Sequence, residues 1–250
     1  MLITIAGSAQ AGKTTLAALL VDELAQQGYQ DRLLIVDPDP THRLALTLGH
    51  QPPAAGLYEV RSPSVTAKTL PQPDDHIAAS GHITKHQLHG LTFDLLTLSH
   101  QRDLADSDRI NPALLVTVER LRPDYDLILL DSAVGLAPLD PYLLRQSELF
   151  LLVVTAAPSA WALVQQLRRT MTLLAQDAAK LWLIYNQMVG EPCFVADRNL
   201  IKLPACPELT PPLDLTLEAG HPLRWGVQPL VARIWPAVAE TPSARRGVSG

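Results

Sequence analysis

The residues Gly7, Ser8, Ala9, Gln10, Ala11, Gly12, Lys13, Thr14 and Thr15 contain the full pattern G-x-x-x-x-G-K-[ST], and an apolar run from Leu2 to Ala6 leads straight into them. That spacing belongs to phosphate chemistry. Glycines let successive backbone N–H groups curl around an anion, and a helix beginning beside the lysine aims its positive end at the same spot. Lys13 would then reach the β- and γ-phosphates of a nucleotide, and the Thr14 hydroxyl would hold Mg2+. Two acidic signals follow. Asp37 ends a second apolar run in "IVDPDP", with Asp39 two residues on, and Asp131 ends a third in "LILLD". Carboxylates so placed can hold Mg2+ through water and orient an attacking water, which is the work phosphoryl transfer needs. Both Asp37 and Asp39 precede prolines, so an Asp-Pro turn competes as the reading of that pair alone.

The elements that must position these groups are legible as apolar runs. Residues 2–6, 33–36, 127–130, 149–154 and 181–185 read as strands, and 93–98 as another whose place in the order the sequence does not give. They lack polar alternation, as strands do when helices cover both faces of a sheet. Amphipathic stretches separate them. From Thr14 to Gln27 the leucines at 16, 20 and 24 fall on one helical face, and Gly28 stands where a C-cap belongs. Helices also fit 111–121 and 159–176. The expected fold is therefore α/β: a doubly wound, mostly parallel sheet with helices on both faces. Gly7, Asp37, Asp131, Thr155 and Asn186 each lie at or just past the carboxyl end of a run, so all five converge on one edge. Ligands bind at that edge in open parallel sheets.

The 250 residues suit one domain over 1–240, with a Pro/His-rich insertion or loop region at 50–90 and a disordered tail at 241–250. Arg245 and Arg246 in that tail could touch an acidic surface. The formal charge is −5 and only five of twenty basic residues are lysine, which argues against broad nucleic-acid binding. Cys193 and Cys206 form no CxxC pattern, so free thiols of a reducing compartment are expected. The opening residues show no signal-peptide pattern, and no apolar run approaches the ~18–20 residues of a membrane helix. A cytoplasmic protein is expected. The stretch "PLVARIWPAVAE" (229–240) reads as short and proline-broken, unlike a membrane-surface helix. His82, His86 and His89 would share one face if 82–89 were helical, a possible Zn2+ or Ni2+ surface; the competing reading is solvent-facing histidines beside a strand.

Together, the loop, the "DPD" pair and "DSAVG" (131–135) resemble the MinD/ParA group of P-loop ATPases, the deviant Walker A class that includes CooC-type nickel-insertion ATPases and BcsQ-like proteins. The resemblance covers roughly 1–48, 125–190 and 203–224. It implies ATP and Mg2+ as cofactors, Lys13 and Asp39 as catalytic residues, and Thr14, Asp37 and Asp131 around the metal. It further implies nucleotide contacts from residues 7–15, adenine reading by Asn186, a hinge at Gly135, and closure over the base by 203–223. A nucleotide-dependent homodimer and a protein partner are implied too.

One position departs from the family. Its signature lysine, which follows the first glycine, is Ser8 here, and its double glycine is Ala9-Gln10. A hydroxyl can hydrogen-bond phosphate but brings no charge, so hydrolysis is expected to be slow or partner-stimulated unless another cation, such as Arg43, substitutes. The readings that stand beside a MinD/ParA-like ATPase are an ATP-binding scaffold with little turnover, a CooC-like metal-insertion ATPase, and a small-molecule kinase or ligase of dethiobiotin-synthetase type. Against the metal-insertion reading, the interval between His89 and Asp131 holds no cysteine.

Overall fold

Short apolar runs flanked by amphipathic segments build a sheet that is buried on both faces. The computed structural model describes residues 1–8, 10–39, 42–49, 83–97, 115–132, 141–156, 158–188, 199–206 and 221–240. Its strands are β1 (Leu2–Gly7), β2 (Leu33–Asp37), β3 (Thr84–Leu88), β4 (Leu91–Thr97), β5 (Leu127–Asp131), β6 (Leu149–Val154), β7 (Leu181–Met188) and β8 (Leu200–Pro204). The helices are α1 (Lys13–Gln26), α2 (Arg43–Thr47), α3 (115–121), α4 (Pro141–Gln146), α5 (Pro158–Leu173) and α6 (Pro222–Glu240). All eight strands join one sheet in the order β3-β4-β2-β5-β1-β6-β7-β8. Among the described residues only the β3–β4 pair is antiparallel, and the other pairings are parallel. The doubly wound architecture is thus the one the apolar runs predict.

Alternation along each strand feeds two cores. Ile3 and Ile5 of β1 face a layer made by α1, α2 and α6, whereas Leu2 and Ala6 face a layer made by α3, α4 and α5. The strand order reverses at β1, which lies between β5 and β6. This is the topological switch point, and the chain leaving β1 there becomes the phosphate-loop segment.

Three local readings are decided by the structure. Residues 84–88 form a strand, which rules out a helix over 82–89 and agrees with the reading of histidines beside a strand. The period-two pattern of Thr84, His86 and Leu88, half-buried between exposed Lys85 and Gln87, decides in favour of the strand. His86 hydrogen-bonds the Thr84 hydroxyl at 2.7 Å and stacks on Phe93, and His89 turns the hairpin. Second, 229–240 is the continuation of a 19-residue helix with Pro229 and Pro236 inside it. Both prolines lie seven residues apart on the outward face, where the carbonyls they leave unpaired can meet water; Leu223, Val227, Leu230, Val231 and Ile234 pack inward. Third, β8 was not among the predicted strands, since "LIKLP" is a short edge strand closed by a proline.

The α1–α6 contact contains a buried ion cluster. Arg224 of α6 is 3% exposed and lies 3.1 Å from Glu23 and 3.4 Å from Asp22 of α1. Asp22 also faces His89 at 3.4 Å, and burial raises its carboxyl above the usual range. Removing one member of such a cluster strands the others in low dielectric. Arg224→Ala is expected to destabilise the fold by about 3–5 kcal/mol in urea titration, far more than exposed Arg32→Ala, whose pair with Asp126 lies in solvent.

Candidate functional site

The same alternation that fills the core places polar residues at the strand ends. In β4, β2 and β5 the residues facing the α1 layer are Phe93 and Leu95, Leu33 and Ile35, and Leu127 and Leu129. The next residue on that face is Thr97, Asp37 and Asp131 respectively. Gly7 ends β1, and Asn186 stands two residues beyond Ile184 in β7, where the register with β8 shifts. Thr97, Asp37, Asp131, Gly7 and Asn186 therefore form a row along the carboxyl edge. Thr155, also expected there, follows β6 by one residue and is half-buried.

The loop after β1 is held against this row by close packing. A Cβ on Gly7 would sit 2.3 Å from the Val153 carbonyl oxygen, so the backbones of β1 and β6 approach too closely for any side chain. Gly12 adopts φ +91°, and a Cβ there would sit 2.1 Å from Asn186 Nδ2. That amide nitrogen donates to the Ala11 carbonyl at 2.9 Å. Ser8 is exposed and its carbonyl accepts two bonds, from the Ala11 N–H at 3.3 Å and from Lys13 Nζ at 3.0 Å. Lys13 is itself buried, and burial lowers its ammonium against the opposing pull of Asp131 and Asp39. Its partner, a loop carbonyl, is a weak one for a cation in this position. An anionic phosphate oxygen would be a better one.

The acidic residues divide their work. Thr14 Oγ1 donates to Asp131 Oδ2 at 2.7 Å, while Asp131 Oδ1 is buried and has no hydrogen-bond partner among the described residues. Such an oxygen suits a water belonging to a metal's shell. Asp37 is fully buried, and its carboxylate accepts from three backbone N–H groups: Asp39 at 3.1 Å, Leu44 at 3.1 Å and Ala45 at 3.2 Å. It therefore fixes the start of α2. Burial pushes the Asp37 carboxyl up to about 8, with the Asp131 charge adding to the rise. Burial likewise raises Asp131 to about 7, opposed by the Thr14 hydrogen bond and by Lys13. Asp39 is less buried and faces Arg43, whose Nε lies 3.7 Å from Asp39 Oδ2.

The structure thus brings Gly7, Ser8, Gln10, Ala11, Gly12, Lys13, Thr14, Thr15, Asp37, Asp39, Asp131 and Asn186 to one edge. Ala9, Gly135, His82, Cys193, residues 207–220 and the tail arginines lie outside the described residues. Cys206 is partly buried. Among the described residues no three His, Cys, Asp or Glu side chains form a metal cluster, and no helix is long and apolar enough to cross a membrane. Thr97 was missed. The residue is 1% exposed and its backbone pairs in register with Asp37, while its hydroxyl is buried with no hydrogen-bond partner among the described residues.

Comparison with known proteins agrees with this architecture. A family model described as an AAA domain (AAA_31) matches residues 4–182. The MinD cell division protein of Aquifex aeolicus, alone and in its complex with MinC, superposes with a TM-score of 0.65 at 19% identity, covering 94% of this chain and 95–96% of those chains. A cobyrinic acid a,c-diamide synthase of Mycobacterium smegmatis, with bound ADP and magnesium, gives a TM-score of 0.50 at 22% identity over 75% of this chain and 74% of that one. An uncharacterised ATP-binding protein of Methanocaldococcus jannaschii is 21% identical over 200 residues, 76% of either chain.

Two measurements test this geometry. The raised carboxyls of Asp37 and Asp131 mean that the folded state holds more protons than the unfolded state between about pH 4 and pH 8. Their contribution to stability is full below that window and is lost as pH rises through it. In EDTA, the melting temperature should fall from pH 5 to pH 8, and Asp131→Asn should flatten the fall; an equal slope in the variant would contradict the burial of a charge there. Thr97→Val removes an unsatisfied buried hydroxyl at nearly constant volume. It should stabilise the apo protein by about 1 kcal/mol, read from urea titration.

Proposed function

We propose, for a chain that belongs to the AAA domain family and has the fold of the MinD/ParA-type P-loop ATPases, that it binds ATP with Mg2+ at this edge and hydrolyses it. Nucleotide state then controls its assembly with a second copy or a protein partner. The observation that carries the reading is the meeting of Lys13, Thr14 and Asp131 at a loop clamped so tightly that two of its positions accept only glycine.

In this reading the backbone N–H groups of residues 7–15 cradle the phosphates, and Lys13 leaves the Ser8 carbonyl for the β- and γ-phosphate oxygens. Thr14 and the unpartnered Oδ1 of Asp131 fit a Mg2+ shell, the hydroxyl directly and the carboxylate through water. Bound Mg2+ would offset phosphate charge. Asp37 keeps α2 in place beside that shell. Asp39 accepts a hydrogen bond from the attacking water. The water oxygen bonds to the γ-phosphorus as the bond to the β–γ bridging oxygen breaks, giving ADP and inorganic phosphate. The Asn186 carbonyl oxygen accepts from the adenine amino group, which guanine lacks at that position.

A second reading is favoured by Ser8, whose exposed side chain brings no charge to the phosphates. In that case the chain is an ATP-binding scaffold with little turnover. Single-turnover hydrolysis separates the two: a rate equal to that of Lys13→Ala leaves only the scaffold. The binding reading itself is tested by titration calorimetry with Mg·ATP. Lys13→Ala should weaken affinity at least about tenfold, and GTP should compete poorly with ATP. Equal affinities of wild type and variant would refute the site.

A further inference from the structure

The edge row is rich in carboxyl groups and short of positive charge. Asp37, Asp39 and Asp131 act on one another electrostatically, and Asp39 and Asp131 act on Lys13. A triphosphate adds several more negative charges to this mouth. Lys13 is the one cation inside it among the described residues, and the cation whose charge acts on Lys13 is Arg43.

Arg43 is built to reach the same place. It is the first residue of α2, and the Asp37 carboxylate pins the next two residues, Leu44 and Ala45, by their backbone N–H groups. The backbone from which Arg43 projects is therefore fixed to the edge row itself. The side chain, by contrast, is 66% exposed, so its guanidinium can move without unpacking the core. Its contact with Asp39, 3.7 Å from Nε to Oδ2, is an ion pair longer than a hydrogen bond. Such a pair in partial solvent is worth little, whereas a guanidinium forked onto phosphate oxygens makes two charge-assisted bonds.

We propose that Arg43 grips the terminal phosphate of ATP, leaving Asp39 when the triphosphate enters. The exchange has a consequence for the reaction. Asp39 is neutralised by Arg43 while the site holds no γ-phosphate, and becomes available to orient water once that phosphate has drawn Arg43 away. ADP, which lacks the terminal phosphate, leaves the Asp39–Arg43 pair closed. Arg43 thus distinguishes ATP from ADP and makes α2 the element that carries the difference. This rests on the proposed ATP site, and the test below separates the two.

The experiment is affinity measurement with Mg·ATP, Mg·ADP and the non-hydrolysable Mg·AMP-PNP on wild type, Arg43→Ala, Arg43→Lys and Lys13→Ala. Arg43→Ala should weaken ATP and AMP-PNP about tenfold or more and leave ADP within about twofold, removing the preference for the triphosphate. Arg43→Lys keeps the charge but not the fork, and should recover only part of the loss. Turnover should fall in Arg43→Ala by more than affinity does, since the charge on the transferring phosphoryl group loses the guanidinium that stabilises it. Equal changes for ATP and ADP, or none, would overturn the assignment of Arg43 while leaving the ATP site intact. Failure of the wild type to bind any of the three would overturn both. Circular dichroism of Arg43→Ala, expected unchanged because the side chain is exposed, guards against a folding defect.

Discussion

An amide hydrogen bond from Asn186 of β7 to the Ala11 carbonyl ties the loop after β1 to the sheet. Its position leaves no room for a side chain at Gly12, and β6 leaves none at Gly7. Everything the site offers depends on this clamp. With the loop pinned at both ends, α1 must begin at Lys13, and Lys13 and Thr14 project into the same few ångströms as Asp131. The buried leucines of α1 hold the helix to one face of the sheet, and the ion cluster of Asp22, Glu23 and Arg224 fastens α6 across it. Binding geometry and core packing are two uses of one set of contacts.

The electrostatics of the edge follow from its burial. Three carboxylates crowded at the ends of buried strands are hard to ionise together, which is why desolvation pushes Asp37 and Asp131 up, with the Asp131 charge adding to the rise of Asp37 and the Asp39 charge to that of Asp131. Asp37 finds its compensation in backbone donors, and so becomes structural: it anchors α2. Asp131 keeps one oxygen without a partner. A divalent cation brought in with a nucleotide would satisfy that oxygen and lower the carboxyl at once, so the apo site carries an unfavourable charge arrangement that its ligand relieves.

Much of this was legible in the sequence because strand ends are marked by the residue that stops an apolar run. Gly7, Asp37 and Asp131 each do so, and alternation carries them to one face. Other features depend on contacts that no local pattern records. The cap that Asp37 makes on α2 requires knowing that a five-residue helix follows. Thr97 lies inside the apolar run 93–98, and only the pairing of β4 with β2 places it beside Asp37. The histidine spacing left helix and strand both open, and the two-residue alternation of Thr84, His86 and Leu88 is what pairs with β4. Pro229 and Pro236 suggested a broken helix, but seven-residue spacing puts both on the outward face, and an unbroken apolar stripe on the other side outweighs them.

The central claim, that this edge is an ATP and Mg2+ site organised by the clamped loop, is tested most directly by a crystal structure of the chain with Mg2+ and AMP-PNP. The account predicts phosphates on the backbone of residues 7–15, the Lys13 ammonium on phosphate oxygens in place of the Ser8 carbonyl, and the metal on Thr14 with a water to Asp131. A nucleotide bound elsewhere, or one bound here with Lys13 still on Ser8, would contradict it.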